Sequence, residues 1–134
     1  MPHFDTVAVI GTGVIGRSWA RAFSRAGCRV RVFDRDKAQA ERAIDWLHGD
    51  CELAIREGFG TKAEAERAKS LVTLHADMGD ALAGAGYAQE SGPERLEIKQ
   101  ALYREMDAAA AKETILASST SAIDISLRGS FTLT

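Results

Sequence analysis

The stretch Val7–Phe23, VAVIGTGVIGRSWARAF, decides how this chain folds. Val7–Ile10 is a short apolar run of the kind that forms a buried strand. Gly11, Gly13 and Gly16 follow at fixed spacing. Ile15, Trp19, Phe23 and Ala26 then recur at helical spacing, and Gly27 supplies a C-terminal stop. Strand, glycine turn and helix therefore succeed one another without a linker. A second apolar run, Cys28–Asp34 (CRVRVFD), closes a strand–helix–strand unit, with Val30, Val32 and Cys28 on one face.

The pattern continues to the end of the chain. Asp36 is placed to cap a long helix carrying Ile44, Leu47, Cys51 and Ile55 on one side, and Gly58–Thr61 breaks it. A short helix (KAEAERAKS) precedes a third strand, Leu71–Asp77, and MGDALAGA forms a turn or short helix. A fourth strand covers Gly86–Ser91. Pro93 suits the first turn of the next helix, whose stripe is Ile98, Leu102, Met106 and Ala109. A fifth strand covers Thr114–Thr120. Strands alternating with helices imply a doubly wound parallel sheet of Rossmann type, a single α/β domain with helices on both faces. Residues 1–127 form this domain and residues 128–134 a tail without periodicity.

Composition removes other classes. The chain has 134 residues, a length suited to one domain, and a formal net charge of −2. No basic field points to nucleic acid or an anionic membrane surface, and no apolar run reaches the ~20 residues of a membrane helix. The N-terminus MPHFDT lacks the basic and apolar regions of a secretory signal. Cys28 and Cys51 lie in no CxxC or Cys/His cluster, which suits free thiols in a reducing compartment, and a cytoplasmic location is expected. His3, His48 and His75 are scattered without metal-ligand spacing, so no metal site is expected.

Gly11-Thr12-Gly13-Val14-Ile15-Gly16 is a GxGxxG turn in the context that such a motif requires. Gly11 lets the chain turn out of the strand. Gly13, lacking Cβ, lets the backbone approach a pyrophosphate, and Gly16 lets the helix pack on the strand. The first helical turn offers free N–H groups and the positive end of the helix dipole to phosphates. Asp34 ends the second strand, 18 residues after Gly16. A carboxylate there accepts hydrogen bonds from the adenosine ribose hydroxyls and repels a 2′-phosphate, so NAD is the expected cofactor. Asp34 disfavours NADP, Arg35 beside it could serve a phosphate and so keeps NADP from being excluded, and FAD is the residual competitor. Taken alone, Asp34 reads as a solvated turn residue, Glu94 as an acid favoured in a first helical turn, and Lys99 as a solvated helix lysine. Glu90 is balanced between a structural role and proximity to the cofactor.

The segment Tyr87–Ser126, YAQESGPERLEIKQALYREMDAAAAKETILASSTSAIDIS, is more specific. It resembles the NAD-binding domain of the 3-hydroxyacyl-CoA dehydrogenase family, through Glu90, Pro93-Glu94-Arg95-Leu96, Lys99 and Ala117-Ser118-Ser119-Thr120-Ser121 in the family's order. The resemblance covers Thr6 to Leu127 and leans toward the lambda-crystallin, L-gulonate and carnitine dehydrogenase relatives. It implies that Thr12, Val14 and Ile15 join the three glycines and Asp34 around the cofactor. It further implies that Glu94, Lys99 and Ser119 contact the cofactor, and that Ser121 touches the substrate oxygen and positions a catalytic histidine. Ser119 stands where acyl-CoA enzymes often carry Asn.

The implied activity is oxidation of a 3-hydroxy group, in an acyl-CoA or a free hydroxy acid, by hydride transfer to NAD; fatty acid metabolism and a homodimeric full-length protein go with it. The family's His-Phe-Asn-Pro segment and its all-α substrate and dimerisation domain have no counterpart here. Nor does its CoA-contacting lysine on the second helix, since Lys37 and Lys62 only flank that helix. The chain is thus expected to be the cofactor half of an enzyme, with little activity alone. The alternative is a stand-alone, non-catalytic dinucleotide-binding protein, structural or sensory like the crystallins.

Overall fold

The computed structural model describes residues 4–92 and 95–118. The elements run β1 (Thr6–Ile10), α1 (Val14–Arg25), β2 (Arg29–Phe33), α2 (Lys37–Arg56), α3 (Lys62–Leu71), β3 (Val72–Leu74), α4 (Met78–Leu82), β4 (Tyr87–Glu90), α5 (Leu96–Ala109) and β5 (Ile115–Ser118). The five strands form one sheet in the order β3-β2-β1-β4-β5, and every pairing is parallel. This is the expected Rossmann-type sheet. The order reverses between β1 and β4, and open sheets of this type bind ligands outside the carboxyl ends of the strands at such a reversal.

β1 is buried on both sides, which explains its unbroken apolar run. Alternate side chains enter two cores. Val7 and Val9 join Ala20, Val30, Val32 and Leu47 on one face of the sheet. Ala8 and Ile10 join Leu82, Leu102, Tyr103 and Met106 on the other. The Asp36 cap appears where the sequence places it, and a second cap, not read from the sequence, starts α3. The Asp36 side chain accepts from Gln39 N at the start of α2, and Thr61 and Glu64 form a capping box at the start of α3.

In two helices the buried line departs in part from the one their apolar residues suggest. In α1 the buried line is Gly16, Ala20 and Ser24, while Ile15 and Trp19 are exposed. Small residues let the helix lie close on β1, and the bulky ones flank the contact. Trp19 stacks on Phe23 with centroids 5.5 Å apart. In α5 the buried line is Lys99, Leu102, Tyr103 and Met106, while Ile98 and Ala109 lie outside it. A lysine enters the core because a carboxylate meets it there. β3 is shorter than the Leu71–Asp77 run, because α3 continues through Leu71 and this edge strand pairs only with Val30–Val32.

Candidate dinucleotide site

A cleft of about 870 Å³ opens at the carboxyl ends of β1, β2 and β4. Its floor is the glycine turn, and its walls are the end of β2 with the start of α2 on one side and α5 on the other. Gly11, Gly13, Val14, Ile15, Asp34, Gln39, Ser91 and Ile98 are among its lining residues.

The three glycines divide by what surrounds them. Gly11 has φ +99°, a left-handed conformation that side chains rarely adopt, and a Cβ there would meet the Ser91 carbonyl at 2.7 Å. A Cβ on Gly16 would lie 1.9 Å from the Gly11 carbonyl oxygen. Those two positions are closed by the fold itself. A Cβ on Gly13 would meet nothing within 4 Å, although Gly13 lines the cleft. Packing therefore does not require glycine at 13, and its lack of a Cβ leaves the floor of the cleft open to an approaching group. Gly13 is also the N-cap of α1, with no side-chain cap hydrogen bond on the first turn. Val14 and Ile15, in that turn, are 68% and 51% exposed toward the cleft side of the helix start. These features fit a pyrophosphate.

Asp34 closes the other end. Its Oδ2 accepts from Thr12 N at 2.8 Å, Thr12 Oγ1 at 2.7 Å and Gln39 Nε2 at 2.9 Å, and its Oδ1 accepts from Asp36 N at 2.8 Å. Asp34 is thus an anchored side chain at the tip of β2, not a solvated turn residue. Oδ1 has the greater spare acceptor capacity, and it is the oxygen that would take a ribose hydroxyl. Thr12 is buried and joins the glycine turn to this carboxylate. The roles of Thr12 and Gln39 as holders of Asp34 had no signal in the sequence beyond their polar character.

Glu90 and Lys99 resolve together. Both side chains are fully buried, and Lys99 Nζ lies 2.6 Å from Glu90 Oε2. The same carboxylate accepts from Gly92 N at 2.6 Å and from Ser118 Oγ at 2.8 Å. One carboxylate therefore ties α5, the segment after β4 and the end of β5 together at the ligand-binding edge. Lys99 is the opposite of a solvated lysine. Glu94, Ser119 and Ser121 lie outside the described residues. Among the described residues no group of His, Cys, Asp and Glu side chains could hold a metal, and no helix is long and apolar enough to cross a membrane.

Residues 6–129 match the model of the family "3-hydroxyacyl-CoA dehydrogenase, NAD binding domain". The chain belongs to this family. The chain is 40% identical over 119 residues to the bovine lambda-crystallin homolog, covering 87% of this chain and 37% of that protein. It is 41% identical over 116 residues to an L-carnitine dehydrogenase/betainyl-CoA thioesterase of Ruegeria pomeroyi, covering 87% of this chain and 23% of that protein. A crystal structure of 3-hydroxybutyryl-CoA dehydrogenase from Escherichia coli superposes with a TM-score of 0.89 at 31% identity, covering 95% of this chain and 27% of that one. The domain spans well under half the length of these relatives. Its cofactor is NAD, the dinucleotide for which the family's domain is described. The glycine turn and Asp34 would hold it.

Proposed function

We propose that the protein carrying this domain is an NAD-dependent oxidoreductase acting on a CH–OH group, with a 3-hydroxyacyl-CoA or a free 3-hydroxy acid as substrate. The observation that carries this is the division of the glycines: two are demanded by the fold and one, Gly13, is left open to the cleft. The carnitine dehydrogenase and 3-hydroxybutyryl-CoA dehydrogenase relatives support the reaction class. NAD when bound supplies the hydride acceptor. The first-turn N–H groups of α1 bind the phosphates, and Asp34 fixes the adenosine end by its ribose. The Glu90 carboxylate holds the ends of β4 and β5 in register, and the Ser118–Ser121 run follows from there. Ser121 donates to the substrate oxygen and positions the base. A serine unaided is too weak a base at neutral pH to take the hydroxyl proton itself.

Fatty acid metabolism, a cytoplasmic location and a homodimeric whole protein complete the proposal. The free thiols of Cys28 and Cys51 suit the location. The one other reading is a stand-alone dinucleotide-binding protein without turnover.

Titration of the chain with NAD and NADP by calorimetry tests the site. Preference for NAD is expected, and tighter binding of NADP, or binding of neither, defeats the assignment. Turnover of 3-hydroxy acids and their CoA esters by the whole protein, followed by NADH absorbance, separates enzyme from binding protein. There Ser121→Ala should lower turnover strongly and leave NAD affinity nearly intact.

A further inference from the structure

The dinucleotide cleft is acidic at the end where the adenosine ribose would lie. Among the described residues lining it, Arg35 is the one basic side chain, against Asp34, Asp36, Glu97 and Glu105. Arg35 directly follows the carboxylate that faces the ribose, the position from which a cation can take a 2′-phosphate. Its guanidinium does not stand free. Arg35 Nη2 donates to Glu105 Oε1, joining the loop after β2 to α5 across 70 residues of sequence. Both partners line the cleft, so the ion pair bridges two of its walls.

We propose that Glu105 is a specificity-determining residue, which holds the Arg35 guanidinium on α5 and so withholds the cleft's cation from a 2′-phosphate. The proposal rests on the assignment of the cleft to a dinucleotide. It makes NAD preference a product of two acids on different elements. Asp34 repels a phosphate directly. Glu105 removes the basic group that, among the described lining residues, could offset that repulsion. The device suits the exposure of the pair, whose side chains are 58% and 49% exposed. An ion pair in water is weak, so opening it changes an equilibrium by about five-fold at most. Glu105 therefore tunes selectivity, and Asp34 dominates it.

The experiment compares NAD and NADP affinities by calorimetry for the wild-type chain, Glu105→Gln, Arg35→Gln and the double variant, with thermal unfolding as a fold control. Glu105→Gln should tighten NADP binding by about five-fold and leave NAD within about two-fold, since the freed guanidinium meets the phosphate. The gain should vanish in the double variant and shrink as salt is raised. No gain for NADP overturns the proposal. So does a gain that persists without Arg35, which would mean simple removal of an acid, or a parallel change in NAD, which would mean a change of cleft shape. A wild-type chain that binds neither dinucleotide overturns the site assignment itself, and the proposal with it.

Discussion

Replacement of Lys99 by methionine removes the ammonium from a fully buried ion pair and keeps the volume of the side chain. Glu90 is then left as a carboxylate with no exposed surface. It retains two of its hydrogen-bond donors, Gly92 N and Ser118 Oγ. Breaking a buried pair by removing one partner costs about 3–5 kcal/mol, because the remaining charge is stranded away from water. The two retained donors solvate part of that charge, so a loss of about 3 kcal/mol is expected. With an m-value of about 2 kcal/mol/M in urea, typical of a small domain, the unfolding midpoint falls by roughly 1.5 M.

The double variant Lys99→Met with Glu90→Gln should recover most of the loss. The amide oxygen can still accept from Gly92 N, the amide NH2 can donate to the Ser118 hydroxyl in place of the bond that Ser118 Oγ donates to the carboxylate, and no charge remains buried. Replacing both members of a buried pair is often neutral or stabilising. Urea denaturation followed by circular dichroism on the four proteins closes the double-mutant cycle and gives the coupling directly. A midpoint shift under about 0.3 M for Lys99→Met alone, or a double variant less stable than either single one, would show that the pair is not the coupled buried unit described above.

Three further outcomes follow from particular contacts. Gly13→Val should fold normally and lose NAD binding, whereas Gly16→Val should fail to fold, since a Cβ has open space at 13 and lies 1.9 Å from the Gly11 carbonyl oxygen at 16; circular dichroism paired with calorimetry separates the two. Asp34→Ala should weaken NAD by about ten-fold or more, the scale of hydrogen bonds to a charged group, and weaken NADP less, since it also removes a repulsion; equal losses would refute the ribose role.

Burial, and next the Arg31 charge, hold the His75 imidazole below its ordinary range. The unfolded chain then binds more protons than the folded one, so the His75 contribution to stability is intact above about pH 6.5 and is lost as pH falls through that value. Thermal midpoints between pH 8 and 5 should decline less steeply in His75→Gln than in the wild type.

The elements and their order are legible in the chain alone. VAVIGTGVIG carries strand, turn and helix within ten residues, because a doubly buried strand needs an apolar run and the turn needs glycine. Asp34 was legible by its distance from the turn. The segment Tyr87–Ser126 carried the family resemblance through the order of Glu90, Pro93-Glu94-Arg95-Leu96, Lys99 and Ala117–Ser121. The buried faces of α1 and α5 were legible only in part: Leu102 and Met106 are buried as their spacing suggests. Hydrophobicity marks Ile15 and Trp19 for burial, but close approach of α1 to β1 admits only Gly16, Ala20 and Ser24. The fate of Lys99 depends on Glu90, on another element, so no local pattern could place it in the core. The anchoring of Asp34 by Thr12 and Gln39, and of Arg35 by Glu105, joins residues up to 70 positions apart. Strand order brings those pairs together, and a propensity read along the chain contains no term for strand order.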